Sequence, residues 1–300
     1  MIDNKLQTFL TLCETRNYSQ TAKKLNITQP AVSQHIQYLE NYYQVLLISG
    51  KGKNFALTEE GKVLHEYVRL LKANSERILP LLQRIKSHKK PLNFGATLTI
   101  GEYTVPPILS QIFKETQEIN ISMIVENTKV LQKMLWEGKI DFALLEGHFN
   151  QEQFEFKVMS NERFIGVCSP ENKIAYKMLN LEELLDQNLI IREPGSGTRD
   201  IFEQALYNQN LSITSFQGLI EIGNMNAIKE LCHQNIGITF MYKEAVKKEI
   251  SYGYLKEIPI RNFDISHPFS FVYLKNSPDK DQIEYWFEKI ISLRNEILAL

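Results

Sequence analysis

Two short segments of helical periodicity lie so close together near the N-terminus that the chain between them has room only for a tight turn. Ala22 and Leu25 face inward on the first segment, Val32, Ile36 and Leu39 on the second, and Asn26-Ile27 separate them. Ser19 is expected to cap the first helix and Thr28 the second, with Pro30 in a first turn where its missing amide costs little. An earlier helical pattern carries Leu6, Phe9, Leu10 and Cys13 and stops at Asn17. Ala22 has to be small because the helices cross closely there. The pattern is a helix-turn-helix, and it leaves Gln29, Pro30, Ser33, Gln34, Gln37 and Tyr38 pointing outward from the second helix.

That outward set has the chemistry of a major-groove reader. Gln pairs bidentately with adenine, Ser bonds base edges or phosphate, and Pro30 can pack on a thymine methyl. A solvated polar face has the same composition, so the helix alone does not decide. Next come Leu46-Leu47-Ile48 and Asn54-Phe55-Ala56-Leu57, which flank the glycine-rich Ser49-Gly50-Lys51-Gly52-Lys53. This predicts a small hairpin, a wing, whose Lys51 and Lys53 reach phosphates beside the groove, although lysines on a hairpin tip also serve solubility. Thr58 is expected to cap a long helix, with Glu59 and Glu60 at its positive end.

The long helix runs to about Ile85 on an apolar stripe of Val63, Leu64, Tyr67, Leu70, Leu71, Ile78, Leu81, Leu82 and Ile85. Such a stripe wants a partner. A coiled-coil-like homodimer contact buries it and spaces two recognition helices about one DNA turn, or a multiple of it, apart. Pro80 removes a bond to the Glu76 carbonyl and predicts a kink. Ser87-His88-Lys89-Lys90-Pro91 reads as a hinge. The division is thus a DNA-binding winged helix-turn-helix over 1–58, a linker and dimerisation helix over 59–90, and a second module over 91–300.

Charge follows the same division. The whole chain has 34 Lys and Arg against 35 Asp and Glu, a net of −1 that argues against a nucleic-acid partner. Residues 1–90 hold 14 basic and 7 acidic side chains, net +7, and residues 91–300 hold 20 and 28, net −8. A basic module for a polyanion is joined to an acidic one with another task.

From residue 92 short apolar strands alternate with helices, the signature of α/β units on parallel sheets. The strands are expected at 92–95, 121–126, 140–145, 164–168, 188–192, 219–222, 236–241 and 269–274. The helices are expected at 105–116, 130–137, 199–208, 225–233 and 281–297. Ligands of such sheets bind where strand ends meet helix starts. One such loop, 96–103, offers Thr97, Thr99 and the free amides near Ile100. Another, 192–199, combines Gly195 and Gly197, which permit close backbone approach, with the Ser196 and Thr198 hydroxyls and a helix start, the chemistry of an anion cradle. Asn127-Thr128 and Gly223-Asn224 are two further strand-to-helix turns. Arg192 and Arg199 are candidate counter-ions. Duller roles stay open: Thr128 and Asn224 as helix caps, the arginines paired with Glu193 or Asp200. The double set of helix starts points to a small-molecule effector that is an anion or a carboxylate.

Enzymatic motifs are missing. Pro194-Gly195-Ser196-Gly197 lacks the Gly-x-Ser-x-Gly spacing of a hydrolase elbow, there is no phosphate-binding Gly-Lys-Ser/Thr loop, and six histidines form no His-Glu-x-x-His pair. Three scattered cysteines, Cys13, Cys168 and Cys232, read as small buried hydrophobes, with neither a disulfide framework nor a metal knuckle. No stretch approaches the ~18 apolar residues that span a bilayer, and Met1-Ile2-Asp3-Asn4-Lys5 is not an export signal, so a cytoplasmic protein with no membrane partner is expected. A solute-binding protein would account for the second module and leave residues 1–90 without a role.

Phe9, Tyr18-Ser19-Gln20-Thr21-Ala22, Leu25-x-Ile27-Thr28-Gln29-Pro30-Ala31-Val32-Ser33, Ile36, Leu39-Glu40 and Leu57-Thr58-Glu59-Glu60-Gly61 together resemble the LysR-type transcriptional regulators. The resemblance covers essentially the whole chain. It departs where such regulators usually place basic residues on the recognition helix, here Gln34 and Gln37, and where the wing usually carries Phe-x-Arg, here Ile48-Ser49-Gly50. Lys51 and Lys53 stand in for those charges. The resemblance implies two Rossmann-like lobes, as in periplasmic binding proteins, joined by crossing strands: lobe one over 92–162 and 268–300, lobe two over 163–267. It further implies a double-stranded DNA operator, a homodimer through the linker helix, a homotetramer, and contact with RNA polymerase. Its inducer cleft maps best onto Thr97, Thr128 and the turn from Gly195 to Thr198. A regulator of this kind without an effector is the alternative.

Overall fold

A computed structural model describes residues 2–50, 55–87, 92–116, 119–151 and 153–299. The chain forms two compact units, Met1–His88 with Trp136–Lys139, and the remainder.

In the first unit α1 (Asn4–Thr15), α2 (Tyr18–Leu25) and α3 (Gln29–Tyr43) are joined by turns in which Arg16 and Asn26 take left-handed backbone. The cap of α2 is Asn17, not Ser19: its extended backbone brings Oδ1 to the Gln20 amide at 3.0 Å, which leaves Ser19 exposed within the first turn. Thr28 caps α3 as its sequence predicts, accepting from Ala31 N at 3.3 Å. Phe9, Leu12, Ala22, Val32, Ile36, Leu39 and Leu47 form the core.

Ile48–Ser49 (β1) pairs antiparallel with Ala56–Leu57 (β2), and the Glu40 carboxylate on α3 fixes the start of this wing by accepting from Leu47 N at 2.9 Å. Thr58 accepts from Gly61 N at 2.9 Å to open α4 (Glu59–Ser87). Gly61 is required there, since a Cβ would lie 2.1 Å from the Leu47 carbonyl oxygen. The helix is continuous through Pro80. Wing residues Lys51 and Lys53, hinge residues 88–91, and the side chains of Pro80, Leu81 and Ile85 lie outside the described ones. Val63, Tyr67, Leu71, Ile78 and Leu82 leave apolar surface exposed along α4.

The second unit is built on mixed sheets. β3 (Leu92–Ala96) is parallel to β4 (Ile121–Val125) and β5 (Phe142–Leu145). β11 (Ile265–Leu274) lies antiparallel to β5 and to β6 (Phe154–Cys168). β6 is much longer than the expected 164–168. In its first half the apolar residues Phe154, Phe156 and Val158 alternate with Glu155 and Lys157, and only Phe154 and Met159 are buried, so no continuous apolar run marks the strand. β6 then pairs with β9 (Thr239–Tyr242) and β10 (Lys256–Glu257), while β7 (Asn188–Ile191) runs parallel to β8 (Gly218–Glu221) and is bridged to Ile238 just before β9. β6 and β11 therefore run through both lobes, so a lobe boundary falls inside single strands.

Helices α5 (Val105–Glu115), α6 (Thr128–Trp136), α7 (Gly197–Tyr207), α8 (Met225–His233) and α10 (Lys280–Ala299) occupy the expected places, and α9 (Lys243–Ser251) is an addition. Five charged residues in its nine leave only Ala245 and Val246 buried, too few to print a helical stripe on the sequence. On α10, Ile283, Trp286, Ile290 and Leu293 recur at three- and four-residue steps and bury against lobe one, each contributing roughly 2 kcal/mol. Phe94, Phe142 and Phe271 stack in succession at 5.2 and 4.3 Å between ring centroids.

Candidate functional site

Two groups of residues face outward or inward for reasons other than packing. The first lies on α3. Thr28, Gln29, Pro30, Gln34 and Gln37 are exposed and Ser33 is half-buried, as is Ser19's neighbour Tyr18, while Ser19 itself is exposed. Gln29 Nε2 donates to Ser33 Oγ at 3.1 Å, so one helical turn presents a joined amide and hydroxyl. Tyr38 and Tyr42 stack on the same helix and Lys5 covers Tyr38 at 4.5 Å.

The second group lies at strand-to-helix turns of the second unit. Thr97 and Thr99 follow β3, and the chain then makes a π-helical turn, Ile100–Thr104, before α5. Wide turns of this type are frequent at functional sites. Ile100 is packed in the core and its side chain is not presented. On lobe two, Arg192 follows β7, Gly195 has φ +91°, and Ser196 precedes α7 without capping it by its side chain.

The two lobes meet at a residue that the sequence reading passed over, Glu146. It directly follows β5 and is 1% exposed. Thr198 Oγ1 donates to Glu146 Oε1 at 2.8 Å and Thr128 Oγ1 donates to the Glu146 carbonyl at 2.9 Å. A Cβ on Gly197 would stand 2.4 Å from that same carbonyl oxygen. Gly197 is therefore there for close approach between lobes, and Thr128 is a structural donor. The clue available in sequence was an acid directly after the apolar run Phe142-Ala143-Leu144-Leu145, at the strand end where α/β sheets place functional groups.

Burial pushes the Glu146 carboxyl up from 4.5 to about 7, against the Thr99 and Thr198 hydroxyls and the Arg192 charge, which favour its ionised form. The Thr99 hydroxyl exerts this pull without a well-formed hydrogen bond. Arg192, 3% exposed, forks onto Glu193 through Nε at 2.8 Å and Nη2 at 2.9 Å. Burial alone would raise Glu193, but that pairing and the Asn127 side chain bring it below its ordinary value. Asn127 also caps α6 through Val130 N at 3.0 Å.

Several buried polar atoms of the described residues have no hydrogen-bond partner, among them Thr97 Oγ1, Thr99 Oγ1, Glu146 Oε2, Arg192 Nη1, Ser196 Oγ and the Tyr242 hydroxyl. An orphan of this kind costs about 1–3 kcal/mol in a folded protein, and a set of them at strand ends marks a place organised for something else. Arg199 is committed elsewhere, to Glu203 at 2.6 Å, Glu221 at 2.7 Å and the Arg192 carbonyl at 3.1 Å. Asn224 is exposed and caps α8 through Ala227 N at 2.9 Å. Among the described residues no cluster of His, Cys, Asp and Glu is arranged to hold a metal. The three thiols are pushed up to about 12 by burial, as expected of inert packing residues. No helix of the described residues is long and apolar enough to cross a membrane.

Comparisons with known proteins find matches along most of the chain. Residues 4–62 match the bacterial regulatory helix-turn-helix protein, lysR family, and residues 86–291 match the LysR substrate binding domain. The chain is 27% identical to the HTH-type transcriptional regulator CysL of Bacillus subtilis over 92% of its own length and 93% of that protein's. Among solved structures, an OxyR mutant of Corynebacterium glutamicum is similar over 98% of this chain and 92% of its own, with a TM-score of 0.63 at 21% identity. The CcmR regulatory domain of Synechocystis, in complex with 2-PG, covers 68% of this chain and 97% of its own, with a TM-score of 0.62 at 16% identity.

Proposed function

Since the chain belongs to the LysR-type transcriptional regulators, DNA-binding proteins with an effector-binding domain and not enzymes, we propose that its effector is a small anion held between the two lobes. The observation that carries this reading is Arg192 Nη1, a cationic donor buried without a partner beside the start of α7. Ser196 and Thr97 add unpaired hydroxyls, and the first amides of α7 add the positive end of a helix. At hydrogen-bond range these local donors outweigh the diffuse −8 of residues 91–300. A small ligand in this fold has a parallel in the 2-PG of the CcmR regulatory domain.

On this reading Ser19, Thr28, Gln29, Pro30, Ser33, Gln34 and Gln37 meet operator DNA, with Lys51 and Lys53 as phosphate anchors. Dimers form through the exposed stripe of α4, and contacts between effector domains complete a tetramer. The anion alters how the lobes close, which changes the spacing of recognition helices and the bend of the DNA. Coupling of this kind is reciprocal: DNA changes anion affinity by the factor by which the anion changes DNA affinity. The test is a thermal-shift panel on the full chain. Stabilisation by inorganic or organic anions is expected; stabilisation by neutral amides, sugars or aromatics alone overturns the reading.

A further inference from the structure

A bound anion leaves one group of the cleft unexplained, because a buried carboxyl is a poor neighbour for it. Glu146 Oε1 is satisfied by Thr198, whereas Oε2 has no partner. The side chain is held in place: Thr128 binds its carbonyl and Gly197 packs against its backbone. Oε2 is thus an acceptor without a formed hydrogen bond, near the Arg192 charge and the Thr99 hydroxyl that favour its ionised form, while Arg192 Nη1 and the hydroxyls of Ser196, Thr97 and Thr99 are likewise unpaired and able to donate. Resting on the anion reading above, we infer that Glu146 is the specificity-determining residue of the cleft: it admits anions carrying an O–H donor of their own, such as hydroxy acids and protonated oxyanions, and rejects anions that have only acceptors.

An ionised carboxylate oxygen can only accept. An anion with a hydroxyl turns it to Oε2 while its other oxygens take Arg192 Nη1 and the amides that open α7. An anion without one sets lone pair against lone pair where like charges are poorly screened, the repulsive element that specificity requires. Its one escape is to protonate Glu146, which burial has already moved to about 7. The groups acting on that carboxyl are Arg192, Thr99 and Thr198, which favour ionisation, and Tyr242, whose own hydroxyl is raised far above its ordinary range and stays neutral. Glu193, next along the chain, is neutralised by Arg192. Selection therefore strengthens as pH rises through about 7 and fades toward pH 6.

The test is calorimetric titration of the full-length protein with two pairs of anions, inorganic phosphate against sulfate and lactate against propionate. At pH 8 each pair shares charge and shape and differs by one hydroxyl. In at least one pair the hydroxyl-bearing member should bind about tenfold tighter at pH 8, because an aprotic anion binds only the roughly one molecule in ten in which a carboxyl titrating at about 7 is still protonated. At pH 6 the preference for lactate over propionate should shrink to within about twofold as Glu146 takes up a proton; phosphate itself is protonated further there and is compared with sulfate at pH 8 only. Glu146→Gln still accepts from Thr198 but cannot ionise, and should admit the aprotic member and reduce the preference to below ~3-fold. Equal affinities within both pairs for the wild-type protein at pH 8 overturn the inference without any variant, as does an unchanged preference in a folded Glu146→Gln. If none of the four anions binds, the anion reading itself falls and takes the inference with it.

Discussion

The Thr198 hydroxyl reaches from the first turn of α7 to Glu146 Oε1 at the end of β5, a 2.8 Å hydrogen bond that ties one lobe of the effector-binding domain to the other. Both partners are at least 98% buried. Bonds between buried groups are modest when made and costly when one side is lost. Thr198→Val keeps the shape and removes the donor. It should destabilise the protein by about 1–3 kcal/mol and raise the Glu146 pKa further, since the hydroxyl donor that stabilised the ionised carboxylate is gone. Thermal denaturation beside wild type checks the first effect; no loss of stability would show that the lobes close independently of this bond.

Glu146 also gives stability a pH dependence of definite sign. Its carboxyl titrates near 7 in the fold against 4.5 when unperturbed, so between those values the folded state holds a proton that the unfolded chain releases. Stability from this group is fully present below about pH 4.5 and falls as pH rises to about 7, by roughly 3 kcal/mol in all. Glu146→Gln should flatten that slope. Melting temperatures taken across pH 4.5 to 8 for both proteins provide the comparison, and parallel curves would place the titrating group elsewhere.

Gly197 packs directly against the Glu146 backbone, and a methyl there meets the Glu146 carbonyl oxygen at 2.4 Å and its carbon at 2.9 Å. Both obstacles are backbone and cannot rotate away. Gly197→Ala should therefore cost about 1–3 kcal/mol and block response to effector while leaving operator binding by the N-terminal unit intact. Fluorescence anisotropy with labelled operator, with and without anion, separates the two functions. An unimpaired response would mean that the lobes have slack at this point.

What sequence revealed and what it hid divide along physical lines. The caps and small residues of α2 and α3 act within a few positions of one another, so Thr28, Pro30 and Ala22 announced the helix-turn-helix directly. Ser19 was misread because Asn17 and Ser19 are both good caps and only backbone conformation distinguishes them. The hydroxyl-rich turns around Thr97 and Ser196 were legible as helix starts. Glu146 was not, because its significance depends on Thr198 and Gly197, some fifty positions away, and on burial that a single acid after a strand does not disclose. The same holds for the first half of β6, whose pairing with β11 spans more than a hundred residues.

The exposed stripe on α4 makes a prediction about assembly. Tyr67 is 64% exposed and Leu71 54%, four residues apart on one face of the helix. Leu71→Glu places a charge where a helical partner would bury it and should convert a dimer to monomers in size-exclusion chromatography. Retention of the dimer would assign the contact to another surface.

Base reading and phosphate anchoring can be told apart by salt. Gln29 is exposed at the start of α3 and donates to Ser33 at 3.1 Å, which orients its amide and leaves the carbonyl oxygen to accept from a base. Gln29→Ala should lower affinity for the preferred operator by about 1–3 kcal/mol, relax preference at one base pair, and leave the slope of log affinity against log salt unchanged. Lys51→Ala on the wing should weaken all sequences alike and reduce that slope by about one unit, because one fewer phosphate counter-ion is released. Anisotropy titrations on operator and scrambled duplexes at several salt concentrations give both quantities, and a Gln29→Ala protein that behaves as Lys51→Ala does would move base readout off the N-terminal turn of α3.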